Sequence, residues 1–574
     1  MAVKRYIAIA DNTITNQYNE ALQARKTKGN AGQADSLEIF KIYGQVNSDT
    51  VEQAKILIKF PVNEENLEEG KKSIYQDRAS GSIPASGSVK FYMRLFNVRH
   101  PEALPNNYKV VAHPLKRDWD EGYGIDLDEF SDYGQSNWLS ASSTTAWATA
   151  GAANTTSDVD VTKVYTQTFT TGLEDFKVDV TAFVEGILDE SLNSGNNYGL
   201  IMQLSSSYLA DSNSYYTKKF SARDSEYFLK RPCIEAVWDS SIKDDRKNVY
   251  FSSSLCASAD NLNTIYLYNN VGGRLKNIPD VGTGSIFVNV YKNFGDSPSG
   301  SAMTLVTDGT YVRSGATTVV TGGYVSTGVY SASFAVDELT GPYYIYGTST
   351  KTGTSSGKKG YYYPAYTTEA AAGTSTSYTF EEWPGLTFYI TDSSANLAKP
   401  TKPYVGYGEY GQPEILHDVW YKSSTQFHTG SFEPKKLKAQ ESTRTNDYYV
   451  SMTNLKPVYY NNETARMRIY TRLKGWSPTI YSRAIAEPEL YIPTSGSFEV
   501  VRIADNMKII EHATGSTKYT ELSYDGSGSY FDFDMALLEP GYSYGFRLAF
   551  YDDFTQSYKQ INEVFKFRVE KYES

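Results

Sequence analysis

The densest run of groups able to do chemistry is acidic. Asp118, Asp120, Glu121, Asp126, Asp128, Glu129 and Asp132 follow one another closely. Hard cations take several carboxylate and carbonyl oxygens, so a calcium loop over Asp118, Asp120, Asp126 and Asp128 is one reading. The run has no glycine at the sixth place with a glutamate at the twelfth, as an EF-hand requires. A solvated acidic loop, or one facing a basic partner, is therefore the reading favoured. Trp119 within this run, and Trp138 and Trp147 after it, are flat apolar rings that would stack on sugar rings if exposed.

Other constellations point away from catalysis. Five histidines, His100, His113, His417, His428 and His512, are scattered without metal-ligand spacing. His417 adjoins Asp418, but neighbours on a strand point to opposite faces, which separates a base from its orienter. Gly353-Thr354-Ser355-Ser356-Gly357 has the spacing of a nucleophile elbow, yet Lys358-Lys359-Gly360 follows where that motif needs a helix. A glycosidase needs two carboxylates at a set separation. With 66 Asp and Glu, no pair is singled out. The strongest interaction candidate is a tyrosine-rich arm carrying Tyr361, Tyr362, Tyr363, Tyr404, Tyr407 and Tyr410. Tyrosine supplies large contact area at little cost in side-chain entropy, and its hydroxyl suits a wet interface.

The elements that would position these residues read as strands. Forty-nine Tyr and 43 Gly stand against only 8 Met, a composition of strands and turns. Val89, Phe91, Met93 and Leu95 alternate with polar neighbours, placing one face in a core. Phe176–Val180 repeats the pattern. Phe183, Val184, Ile187 and Leu188 then recur at helical spacing, with Thr181 as a partial cap. Residues 140–158, rich in Ser, Thr and Ala, are expected as an exposed loop. At 574 residues the chain exceeds what one core serves, so several domains are expected. Residues 1–240 form the first. Residues 241–435 form the second, an immunoglobulin-like sandwich with Gly-Gly turns at 272–273 and 322–323 and a Tyr/Gly/Ser/Thr-rich insertion over about 348–412. Residues 436–574 form a third, closing on the alternating strand Val564–Val569. The fold class is all-β: tandem β-sandwiches of jelly-roll or immunoglobulin-like kind with long loop insertions.

Net charge is −11, and no Lys/Arg cluster offers a basic face, so no direct nucleic-acid contact is expected. No run approaches the roughly 18 apolar residues of a membrane helix. The apolar stretch near the start is too brief for a secretion signal and reads as a first strand. Cys233 and Cys256 make no disulfide framework and read as buried small residues.

In the first unit, Trp119-x-Glu121-Gly122, Trp138 or Trp147, Asp179-Val180-Thr181, Asn197-Tyr198-Gly199-Leu200, Phe220-Ser221-x-Arg223-Asp224 and Arg231-Pro232 follow in order. This unit resembles the DNRLRE family of β-sandwich domains, which look like jelly-roll carbohydrate-binding modules. The acidic segment is longer than that family's usual loop. Phe228-Leu229-Lys230-Arg231-Pro232, Glu235-Ala236-x-Trp238-Asp239, Asp260-Asn261-Leu262-Asn263-Thr264 and Leu275-Lys276-Asn277-Ile278-Pro279 also make the chain, over about residues 1–435, similar to structural proteins of tailed bacteriophages. That likeness implies a virion component but not which one; the tandem sandwiches and the tyrosine-rich arm suit docking at the neck or collar, tail or capsid surface, and no catalysis or cofactor is expected. Its partners would be other virion proteins and symmetry copies of itself. The alternative is a carbohydrate-binding adhesin that holds a host surface glycan on the first sandwich.

Overall fold

The computed structural model describes residues 2–19, 21–44, 51–68, 71–101, 105–127, 135–292, 298, 302–311, 317–336, 348–350, 359–361, 415–435, 447–474, 490–493, 495–552 and 555–572. The chain is all-β, in tandem sandwiches with nearly all strand pairs antiparallel.

The first sandwich uses β1 (Val3–Ile7), β2 (Ala10–Thr15), β3 (Ser36–Ile42), β4 (Glu52–Lys59), β5 (Lys90–Leu95), β6 (Tyr108–Pro114), β7 (Tyr165–Phe169), β8 (Phe176–Asp179), β9 (Leu200–Leu204), β10 (Tyr215–Ser221) and β11 (Cys233–Val237). A small sheet runs β1-β11-β5-β8. A large one runs β10-β3-β4-β9-β6-β7, with β2 also on β4. Phe91, Met93 and Leu95 of the small sheet meet Ile56, Ile58, Leu200 and Met202 of the large one in a shared apolar core. The alternation of side chains along each strand produces this division. Among the described residues three short α-helices accompany the sheets: α1 (Ile74–Ala79), α2 (Thr181–Leu188) and α3 (Ser206–Ala210). Helix α2 is the one expected from Phe183, Val184 and Ile187, which are buried. Its cap differs from expectation. Val180 is the N-cap, and the Thr181 hydroxyl accepts the Phe91 N–H instead (3.0 Å). Helix α1 was not anticipated, although Ser73 and Gln76 form a reciprocal capping box that the sequence displays.

The second unit carries in chain order β12 (Asn263–Tyr268), β13 (Asn270–Val271), β14 (Arg274–Leu275), β15 (Ile286–Lys292), β16 (Val320–Ser326), β17 (Val329–Phe334), β18 (Thr348–Thr350), β19 (Lys359–Tyr361), β20 (Leu416–Lys422) and β21 (Thr425–Phe432), with β13-β14 and β18-β19 as separate two-stranded sheets. Its main sheet runs β12-β17-β16-β15-β20-β21. Residues 249–252 tie its two ends together. Phe251 N–H donates to Lys435 (2.9 Å), Lys435 N–H to Val249 (2.8 Å) and Ser252 N–H to Val336 (2.8 Å). Gly272-Gly273 makes the expected tight turn between β13 and β14. Gly322-Gly323 does not: both lie inside β16. A Cβ at Gly322 would stand 2.6 Å from the Ser331 carbonyl oxygen, so the glycine marks a close strand approach instead of a turn.

The third sandwich packs the sheet β22-β24-β28-β27 on the sheet β23-β30-β29-β25-β26. These are β22 (Tyr448–Met452), β23 (Val458–Tyr460), β24 (Thr464–Leu473), β25 (Gly496–Arg502), β26 (Lys508–Ile510), β27 (Ser523–Asp525), β28 (Gly528–Asp534), β29 (Ser543–Asp552) and β30 (Ser557–Glu570). Stacked and edge-on phenylalanines, Phe498, Phe531, Phe546 and Phe567 among them, fill the space between. Val3, Leu229 and Val237 of the first sandwich belong to this same apolar cluster. The small sheet of the first sandwich therefore has no solvated face there, and all five residues of β11 are buried.

Candidate functional site

The large sheet of the first sandwich carries two covered faces. Ile56 and Ile58 of β4 point into the main core, while Leu57 between them points outward. Ile201 of β9 and Ile14 of β2 join Leu57 on the outer face. A loop layer from residues 115–127 and 135–159 lies on top and contributes Leu115, Trp119, Trp138, Ala141, Trp147, Ala152 and Val159. Residues 140–158 are thus partly a packed cover, correcting the expectation of a simple exposed loop.

This layer receives the three tryptophans. Trp119, Trp138 and Trp147 are only 6, 9 and 5% exposed. Trp119 Nε1 donates to the Tyr198 carbonyl (3.0 Å) and Trp147 Nε1 to the Asn137 carbonyl (2.9 Å). The Lys55 ammonium stands 5.3 Å from the Trp138 ring centre and donates to the Gly151 carbonyl (2.8 Å). Burial pushes Lys55 down to about 8. The sugar-stacking role expected of these rings is corrected to packing, because their faces are sealed against the sheet.

The acidic run is likewise redistributed. Asp118 is exposed and pairs loosely with Lys59 (3.5 Å). Asp120 and Asp126 are exposed, and Asp128 lies outside the described residues. Among the described residues no three His, Cys, Asp or Glu side chains gather as a metal cage. The calcium reading is therefore not supported by the positions of Asp118, Asp120 and Asp126.

Glu121 does something the sequence did not single out. It turns inward to a cluster whose members are far apart in the chain. Its Oε1 accepts the backbone N–H of Asp11 (2.8 Å), and its two oxygens accept Arg223 Nε (3.3 Å) and Nη2 (3.0 Å). Arg223 Nη2 also reaches Asp224 (3.1 Å), and Arg223 N–H donates to Asp11 Oδ2 (2.6 Å). Asp11 is fully buried, and its Oδ1 has no hydrogen-bond partner. Burial drives the Asp11 carboxyl up to about 8, with the Glu121 charge adding to it and Arg223 opposing. Burial also raises Glu121.

Beside this cluster, Asn12 Nδ2 donates to the Ser136 hydroxyl (2.7 Å), and Asn30 Oδ1 accepts Gly124 N–H (2.9 Å). A Cβ at Gly122 would sit 1.9 Å from Asn30 Nδ2, so only glycine lets the loop press this close. Gly199, with φ +78°, similarly sits against the Ile58 carbonyl. Glu121-Gly122, Tyr198-Gly199 and Arg223-Asp224 stand in the sequence as separate short motifs. Their convergence with Asp11-Asn12 is not legible there, because more than a hundred residues separate most partners.

Two further constellations are structural ties. Asp418 grips Arg246 through both oxygens (2.6 and 2.8 Å) and accepts Trp420 Nε1 (2.6 Å). Burial opposes its charge, but Arg246 and Trp420 outweigh it and hold Asp418 below the usual carboxylate range. Ser497 Oγ lies 3.0 Å from His512 Nδ1 and 2.7 Å from Thr520 Oγ1. Ser497 is buried in β25, so its hydroxyl is fixed in the third sandwich's hydrogen bonding.

Tyr361 ends β19, which pairs with β18. Tyr362, Tyr363, Tyr404, Tyr407 and Tyr410, and the Gly353–Gly357 motif, lie outside the described residues. The chain matches no protein-family model and no curated protein sequence.

Proposed function

We propose that this chain is a non-enzymatic structural component of a tailed-phage virion, at the neck, tail or capsid surface, and that it works by docking to copies of itself and to other virion proteins. The observation that carries the reading is the shared core of the first and third sandwiches, in which Val3, Leu229 and Val237 complete the third sandwich's apolar cluster. Such a seam makes a stiff body out of two modules, the property a load-transmitting part needs. Exposed tyrosines at positions 75, 123, 216 and 227 give that body contact points of the kind used in wet interfaces. Repetition by symmetry would multiply modest contacts into a lasting assembly. The sugar-binding alternative would need a ring other than Trp119, Trp138 or Trp147. Mass spectrometry of purified particles of the encoding phage should find the chain at fixed stoichiometry. Its absence from intact particles, or turnover of a host-envelope glycan by the recombinant chain, would overturn the reading.

A further inference from the structure

We propose that Asp11 carries a proton while the loop layer is closed over the large sheet, and that release of residues 119–124 from that sheet is coupled to loss of this proton. The argument begins from charge balance. Three carboxylates, Asp11, Glu121 and Asp224, cluster around one arginine, Arg223, whose guanidinium bonds Glu121 and Asp224 while Asp11 receives only its backbone N–H. Glu121 takes two Arg223 donors and the Asp11 N–H, which together satisfy an ionised carboxylate. Asp11 has one backbone donor on Oδ2 and nothing on Oδ1, at zero solvent exposure. An ionised oxygen in that position would be buried and bare, which is costly. A proton on Asp11 removes the charge at its source.

Among the described residues no other cation is at hand. The charged groups facing Asp11 are Glu121 from the loop after β6, and Arg223 and Asp224 from the turn after β10. Across the ladder β4 presents Ile58, and the neighbouring Lys59 is turned to Asp118. Arg223 already serves Glu121 and Asp224. A metal ion is disfavoured by the guanidinium in the midst of the carboxylates, and no cage is formed among the described residues.

The direction of the pH effect follows. With the loop released, Asp11 is in water and loses its proton near the ordinary value of about 4. With the loop closed, burial pushes it up to about 8. The closed form thus holds an extra proton between these limits. Its advantage is complete below the lower value, shrinks as pH rises, and is gone past the upper one. The clasp tightens in acid and loosens toward alkaline pH, opposite to a latch built on an ionised carboxylate.

The test is hydrogen exchange by mass spectrometry on the full chain from pH 5 to pH 9, expressed as protection relative to the unstructured rate. The amides that report are Asp11, Asp120 and Gly124, which donate to Glu121, Ala141 and Asn30 respectively. For the wild-type chain, protection of the 119–124 peptide should fall about tenfold per pH unit and level off near pH 8. Asp11→Asn, which mimics the protonated form, should remove that one-proton slope. Should that variant misfold, Glu121→Gln removes the negative charge facing Asp11 and should move the levelling-off point to lower pH. Equal slopes in wild type and Asp11→Asn, an unmoved levelling-off point in Glu121→Gln, or protection that grows with pH would overturn the proposal.

Discussion

The two seams that join the sandwiches are built on opposite principles. Between the first and third, apolar side chains dominate: Val3, Val237 and Leu229 sit in the third sandwich's core, with Tyr92 and Phe228 packed beside them. Arg5 adds a directional contact, donating to Glu235 (2.8 Å) on its own sandwich and to the Ile509 carbonyl (2.7 Å) on the other. Burial opposes the Glu235 charge, but Arg5 and Arg94 outweigh it and hold its carboxyl below the usual range.

The middle sandwich is attached differently. Among the described residues its apolar cluster draws only on its own side chains. It is tied through the segment after β11, where Arg246 pairs with Asp418 and Asp245 accepts Thr264 N–H (2.8 Å) on one side and Tyr524 Oη–H (2.7 Å) on the other. Apolar burial is non-directional and fuses surfaces, whereas a buried ion pair contributes little net stability and mainly fixes geometry. The chain therefore reads as a two-sandwich body with a third module pinned at a polar joint.

The contrast can be broken from either side. The largest effect is expected for Val237→Asp, which drives an unpaired charge into the apolar seam. It should cost on the order of 4 kcal/mol and uncouple the unfolding of the first and third sandwiches in denaturant titrations. Little change there would mean that the seam is not tightly packed. Next, Asp418→Ala strands Arg246 and should cost about 3 kcal/mol, localised to the middle sandwich in exchange or proteolysis. The same pair gives a pH signature. Because the folded carboxyl is depressed, its contribution is present above about pH 4 and disappears as pH falls through the folded value. A middle sandwich that loosens no earlier in acid than its Asp418→Asn variant would contradict the joint. The smallest effect is expected for Tyr524→Phe. It removes one hydrogen bond to Asp245 and should lower stability by about 1 kcal/mol while leaving the apolar seam unaltered.

Much of this architecture is written locally in the chain. Phe91, Met93 and Leu95 announce a strand with one buried face, and the alternation toward Val569 announces β30. Ile56-Leu57-Ile58 carries more than it first conveys. A continuous apolar run means that both faces are covered, and the loop layer with its three tryptophans is the cover. The tryptophans themselves gave no sign of which way they point, since an exposed platform and a packed ring share one residue type. The Asp11–Glu121–Arg223 cluster was illegible for another reason. Each member is an ordinary polar residue, and only the fold brings β2, the loop after β6 and the turn after β10 together. Gly322-Gly323 misled because a glycine pair serves a turn and a close strand crossing equally well.

Calorimetry of the full chain tests the central distinction most directly. One cooperative transition large enough for the first and third sandwiches together, separate from that of the middle sandwich and split in two by Val237→Asp, is the predicted outcome. Three independent transitions in the wild-type chain, with the first sandwich melting unaffected by the substitution, would contradict it.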